Sequence, residues 1–232
     1  MRWIKHAFAA LVVTGLAAAP AAAQPASPAP QTRFVVVLDA AHGGDDTGGR
    51  LAHGQLEKNF TLAMSVRLRS LLAARGIQVI TTRESDVAVE PGKRAEIANH
   101  AQALACLSLH ASQSGSGIYL FASSLTPAAP ARFPAWKTAQ AAWVTRSLKL
   151  EGVLNSALLN AGMSVTLGRV SLPAMENMTC PAVAVEIAPE QNASHETTSG
   201  LEDKNYQARI AAALAAALLE WRTDAWRTEA RP

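Results

Sequence analysis

Two histidines and two glutamates in this chain are spaced so that they could work together on a hydrolysis. The run Phe34-Val35-Val36-Val37-Leu38-Asp39 leads to His42. Leu104-Ala105-Cys106-Leu107-Ser108-Leu109 leads to His110, and Pro181-Ala182-Val183-Ala184-Val185 leads to Glu186. Each run reads as a short buried strand with its polar residue at or just past the C-terminal end. Open α/β sheets place ligands and catalysis at that edge. Glu57 follows His42 and stands just before a helical stretch. Two imidazoles and one carboxylate would hold one Zn2+, leave its fourth position to water, and let the spare carboxylate act as base. Glu186 ends a wholly apolar run, and a buried carboxylate needs a partner or a task. On position alone, Glu57 is better explained as an acidic residue complementing a helix N-terminus. His53, His100 and His195 lack a strand-end setting, and Glu176 and Glu190 read as solvated loop residues. Asp39 either orients His42, as carboxylates behind metal ligands do, or turns into the core.

The elements that must position these residues alternate. After strand 34–39 comes the Gly-rich loop His42 to Gly54 (HGGDDTGGRLAHG), which lacks the phosphate-loop patterns and is better suited to wrapping a metal. Residues 60–75 have helical apolar spacing, with Gly76 as a stop. A β-like segment at 77–82 and a helix at 92–102 follow. Strand 104–109 leads through a hairpin-like Gly/Ser turn (112–117) to a strand at 118–121. A Pro/Ala-rich loop (122–134), a helix near 135–160, a short β segment (165–167), a polar loop, strand 181–186 and a closing helix at about 204–221 complete the order. This alternation predicts one α/β domain. Its central sheet is mixed and largely parallel, flanked by helices, with the zinc site at the C-terminal edge of the strands.

The ends read differently from the middle. Met1 to His6 is basic, Ala7 to Ala23 is rich in Ala, Leu and Val, and Ala21-Ala22-Ala23 precedes Gln24. This is the pattern of a secretory signal peptide over 1–23. It is too short and Ala-rich for a span, which needs about 20 apolar residues, and no stable membrane insertion is expected after cleavage. Residues 24–32 form a Pro/Ala-rich tether, 33–222 the folded domain and 223–232 a tail. The protein is therefore expected to be exported, periplasmic or secreted. The formal charge of +3 falls close to neutral once Arg2 and Lys5 are removed. With no basic run and few aromatics, nucleic acid is not an expected partner. Cys106 and Cys180 read as two buried thiols packing as small apolar groups, although export would permit a disulfide.

Taken together, these residues resemble the zinc-dependent N-acetylmuramoyl-L-alanine amidases of the Amidase_3 family. The resemblance rests on Asp39-Ala40-Ala41-His42-Gly43-Gly44 with Gly48, on Glu57-Lys58, and on Thr82-Arg83-Glu84-Ser85-Asp86 with Arg94 and Ala98-Asn99. It continues through Ser108-Leu109-His110-Ala111, Pro181 to Glu186, Asn192, and Tyr206 with Ile210 and Ala211. It covers about residues 34–221, with the motifs in order. The chain departs from the family pattern at Ala40 and Ala41 (usually proline and glycine), Ser112 (usually asparagine), and Ala188 and Pro189 (usually glycine and phenylalanine). None of these departures removes a proposed ligand or the base.

The resemblance implies that His42, Glu57 and His110 bind one Zn2+ and that Glu186 is the catalytic base. It implies peptidoglycan as partner, with both the stem peptide and the muramyl group in the site. The two readings that compete are an exported zinc peptidase and a catalytically silent wall-binding domain. Some cell-division members of the family carry a helix that plugs the zinc with a glutamate. Between Glu96 and Glu151 this chain has no Asp or Glu, so no carboxylate-plug autoinhibition is expected. Arg132, Lys137, Arg146 and Lys149 either face the anionic wall or form a solvated helix face.

Overall fold

A computed structural model describes residues 33–128 and 136–229. The expected signal peptide, the tether and Arg132 lie outside the described residues, as does the side chain of Lys137.

Six strands form one sheet in the order β2-β1-β3-β6-β4-β5. They are β1 (Val35–Ala40), β2 (Gln78–Thr81), β3 (Ala105–Ala111), β4 (Ile118–Ser123), β5 (Val165–Val170) and β6 (Ala182–Ile187). β2, β1, β3 and β6 are mutually parallel, β4 runs antiparallel to β6, and β5 is parallel to β4. The expected architecture, a mixed and largely parallel sheet flanked by helices, is the one observed. A separate short ribbon pairs β7 (Glu190–Gln191) with β8 (Thr197–Ser199).

The apolar runs of β1, β3 and β6 are central strands covered on both faces, so they lack the alternation of a half-exposed strand. On one face lie α1 (Glu57–Ala73), α3 (Val144–Asn160) and α5 (Lys204–Glu229). Phe60, Met64, Leu68 and Leu72 of α1 recur at helical spacing and pack with Val36, Leu38, Leu107 and Leu109. Leu150, Leu154 and Leu158 of α3 join the same core, as do Ile210, Leu214 and Leu218 of α5. On the other face, α2 (Pro91–His100) and α4 (Pro173–Glu176) bring Ala95, Ala98 and Met175 against Val37, Cys106, Ala182 and Ala184. α2 opens with Pro91, where the missing N–H costs the helix nothing.

Four local expectations are corrected. The turn at 112–117 does not close a hairpin, because β6 lies between β3 and β4 and takes the hydrogen bonds of both. The polar loop before β6 contains α4, and the closing helix continues to Glu229. Cys106 and Cys180 are not thiols. They form a disulfide with a Cα–Cα distance of 6.4 Å across a separation of 74 residues. Cys106 lies opposite Ala182 in the β3–β6 register, so the bridge ties β3 to the segment entering β6. Gln140 holds that segment from the other side by donating to the carbonyls of Met178 and Cys180.

Candidate metal centre

Past the end of β1 the chain turns sharply. His42 adopts a left-handed backbone (φ 63°) and is followed by Gly43 and Gly44, also at positive φ. Such a conformation is costly for a side-chain-bearing residue and needs outside support. Two buried arginines supply it. Arg94 donates to the carbonyls of Ala40 and His42, each at 2.8 Å, and pairs with Asp39 at 2.6 Å. Arg83 donates to the carbonyls of Ala40 (2.9 Å), Ala41 (3.0 Å) and Lys58 (2.6 Å). Lys58 bridges Gly44 and Asp86, and Asp86 accepts from the N–H of Gly44. The Glu-Lys pair thus divides its work: Glu57 faces the site while Lys58 ties the loop behind it.

Glu57, the first residue of α1, is buried. Its carboxylate accepts from the backbone N–H of Gly49 (2.8 Å) and Ala111 (3.1 Å). Gly48 lies so close that a Cβ there would come within 2.5 Å of the His42 ring and 2.7 Å of Glu57 Oε2. Only glycine fits this position. Burial opposes ionisation of Glu57, but His110, His42 and the two backbone N–H groups outweigh it and hold the carboxyl well below its usual range.

His42 Nε2 and His110 Nδ1 each lie 3.1 Å from a Glu57 oxygen. The other nitrogen of each ring is already engaged. His42 Nδ1 is 2.9 Å from Asp46 Oδ2, a carboxylate that can only accept. His110 Nε2 is 3.4 Å from Ser108 Oγ, whose own proton goes to Asp39 Oδ2 at 2.8 Å. Each outer nitrogen thus has a partner of its own, and each inner nitrogen faces a Glu57 oxygen, where a bound metal would take the ring's lone pair. The facing atoms of His42, Glu57 and His110 all lie within 4.8 Å of one another. Two imidazoles gathered on one buried carboxylate mark this point as a place for positive charge. Glu57 and Asp46 accordingly raise the pKa of His42 against its burial. Two imidazole nitrogens and a carboxylate, with outer-nitrogen partners in place, form a donor set that fits a zinc-type metal with one position left open.

Glu186 stands beside this group, directly opposite His110 in the β3–β6 register, so both side chains project from the same sheet face. Burial pushes its carboxyl pKa up, His110 pulls it down, and the nearby Glu57 charge pushes it up further, leaving it raised. A carboxylate with raised proton affinity next to an open metal position can take and return a proton.

The structure thus brings together His42, Glu57, His110 and Glu186. It separates Asp39 from His42: Asp39 is 2% exposed and accepts from Thr82, Arg94 and Ser108, and the carboxylate on His42 belongs to Asp46. The sequence reading missed Asp46, although an acidic side chain four residues after a histidine in a Gly-rich loop is a usable sign. His53, His100 and His195 are exposed. Glu190 is paired with Arg209, and Glu176 has one buried carboxylate oxygen without a hydrogen-bond partner, so neither is a solvated loop residue. Arg146 lies over the Trp143 ring, and Lys149 is exposed.

Comparison with known proteins identifies the family and matches the fold. The family model for N-acetylmuramoyl-L-alanine amidase (Amidase_3) matches residues 36–220. The germination-specific N-acetylmuramoyl-L-alanine amidase of Bacillus subtilis (strain 168) is 26% identical over 215 residues, 84% of this chain and 82% of that protein. N-acetylmuramoyl-L-alanine amidase AmiA of Escherichia coli (strain K12) is 42% identical over 77 residues, which span 33% of this chain and only 27% of that protein. Among solved structures, the catalytic domain of CwlV, an N-acetylmuramoyl-L-alanine amidase from Bacillus (Paenibacillus) polymyxa var. colistinus, aligns with a TM-score of 0.63 and 26% identity. That alignment covers 82% of this chain and 98% of the CwlV domain. With the family pattern matched along most of its length, the chain belongs to the Amidase_3 family of N-acetylmuramoyl-L-alanine amidases.

Proposed function

We propose that this protein hydrolyses the amide between the lactyl group of N-acetylmuramic acid and L-alanine in peptidoglycan, using one Zn2+ held by His42, Glu57 and His110. The observation that carries this reading is the convergence of those three ligand atoms within 4.8 Å beside Glu186, in a chain of the amidase family. Bound there, zinc would supply Lewis acidity, polarising the scissile carbonyl and lowering the pKa of water from 15.7 toward about 7. Glu186 takes the proton of the attacking water and delivers it to the leaving amine of L-alanine, as base and then acid. Asp46 and Ser108 hold the two imidazoles in the tautomer the metal needs. Arg83 and Arg94 hold the backbone that carries His42.

The signal-like residues 1–23 and the Cys106–Cys180 disulfide both support export to the periplasm or beyond. Among the described residues no helix is long and apolar enough to cross a membrane. The domain acts without a carboxylate plug: Glu151, the first acid after Glu96, is buried in α3 and accepts from the N–H of Ala122. Strong activation of the purified protein by a partner would contradict this.

The test is digestion of isolated peptidoglycan, with products read by mass spectrometry. Stem peptides beginning at L-alanine should appear beside intact glycan strands, vanish with chelation and return with zinc. Cleavage only within the stems would indicate a zinc peptidase. Wall binding with neither cleavage nor zinc would indicate a silent binding domain.

A further inference from the structure

Beside Glu186 the sheet changes character. Tyr119 of β4 is the register partner of Glu186, so its side chain leaves the same face, with Cβ atoms about 4.5–5.5 Å apart. Phe121, two residues on, shares that face. The two rings lie within 10° of parallel, with centroids 6.3 Å apart, and both residues are half-buried. The next strand leaves room for them. Thr166 is opposite Tyr119, and Gly168 is opposite Phe121. A Cβ on Gly168 would come within 2.8 Å of the Phe121 ring. On the other side, the Ser116 N–H donates to Tyr119 Oη at 3.1 Å. Gly115 (φ +88°) passes so close to that hydroxyl that no side chain could be added there. The parallel rings form an aromatic shelf beside Glu186, held in place by the Ser116 N–H at Tyr119 and by the core against which Phe121 packs.

Resting on the amidase reading above, we infer that the Tyr119–Phe121 shelf binds the pyranose ring of the N-acetylated amino sugar whose lactyl amide is cut. The scissile carbonyl is only a few bonds from that ring, so a carbonyl placed at Glu186 puts the sugar within reach of the neighbouring strand. A pyranose presents a flat face of C–H bonds, and its partial positive charge suits the negative face of an aromatic ring. A stem peptide bears carboxylates and would call for cations, yet the register positions of the shelf are Tyr119, Phe121, Thr166 and Gly168. The sugar therefore lies over β4 and β5, and the stem peptide leaves in another direction.

The test compares wild type, Tyr119→Leu, Phe121→Leu and the conservative Tyr119→Phe on a soluble disaccharide-peptide substrate. Two competitors are used: the stem-free disaccharide of N-acetylglucosamine and N-acetylmuramic acid, and the free stem peptide. The leucine variants should raise KM and the disaccharide inhibition constant about 3- to 10-fold, leave kcat within about 2-fold, and leave inhibition by the stem peptide unchanged. Tyr119→Phe keeps the ring but loses the Ser116 hydrogen bond, so its KM should rise less than that of Tyr119→Leu. Saturation-transfer NMR on the wild type provides a measurement that does not depend on the variants folding, and aromatic saturation should reach the pyranose C–H protons. Active enzyme with unchanged KM in the leucine variants, inhibition by both competitors weakened together, or no transfer to the sugar would overturn the shelf while leaving the amidase reading intact. Wild-type protein that releases no stem peptide would overturn the amidase reading first.

Discussion

On the β1–β3–β6 half of the sheet, the C-terminal edge is held by charge. Asp39, Arg83 and Arg94 are all buried, and their hydrogen bonds end on the backbone that carries His42 or, through Ser108, at His110. On the β4–β5 half, Tyr119 stands at the same edge, with Phe121 behind it opposite Ala184 and packed against the core, the pair positioned by one backbone N–H and by glycines that leave room. The contrast separates two tasks. Groups that must hold a cation between three acceptors have to be fixed against repulsion, and a buried polar network does so at high cost if it is broken. A surface that only recognises shape can rely on steric fit.

The largest expected effect breaks the charged half at its centre. Glu57→Ala should abolish tight metal binding, a loss beyond the 10–100-fold typical of outer-shell changes, with turnover lost alongside. Metal analysis of the dialysed variant checks this. Arg94→Met strikes the same half from beneath. It strands Asp39 in the core and should cost about 3–5 kcal/mol, read by denaturant unfolding, with weakened metal affinity in whatever remains folded. The disulfide serves both halves, because it joins β3 to the entry of β6 between them. Reduction, or Cys106→Ala with Cys180→Ala, should cost about 2–5 kcal/mol of stability. Below the melting transition, metal content should stay the same. The smallest effect comes from an exposed contact of the charged half. Asp46 is largely exposed, so Asp46→Ala should barely move stability. It should lower metal affinity by about 10–100-fold by freeing the His42 tautomer, measurable by chelator competition.

Much of this arrangement was readable in the sequence, for physical reasons that also mark where reading stops. Continuous apolar runs betray strands buried on both faces, which is why β1, β3 and β6, and the residues at their ends, could be placed. Strand order is not local, and nothing between Ser112 and Gly117 reveals that β6 will insert beside β3. Glu57 was legible only through the resemblance to a family, because a glutamate opening a helix has an adequate explanation in the helix dipole. Asp39 and Asp46 show the same limit, since which acid reaches His42 depends on the left-handed turn at that residue. The disulfide was missed because pairing depends on Cα separation, and here a loop residue is brought under β3 by α4 and Gln140.

The most direct test of the proposed centre is to measure bound zinc and peptidoglycan amide cleavage in wild type and in Glu186→Gln. If His42, Glu57 and His110 hold the metal and Glu186 moves the proton, both proteins will carry one zinc per chain and the variant will lose about 10²–10⁴-fold in turnover. A zinc-loaded variant that still cleaves at close to the wild-type rate would contradict the assignment.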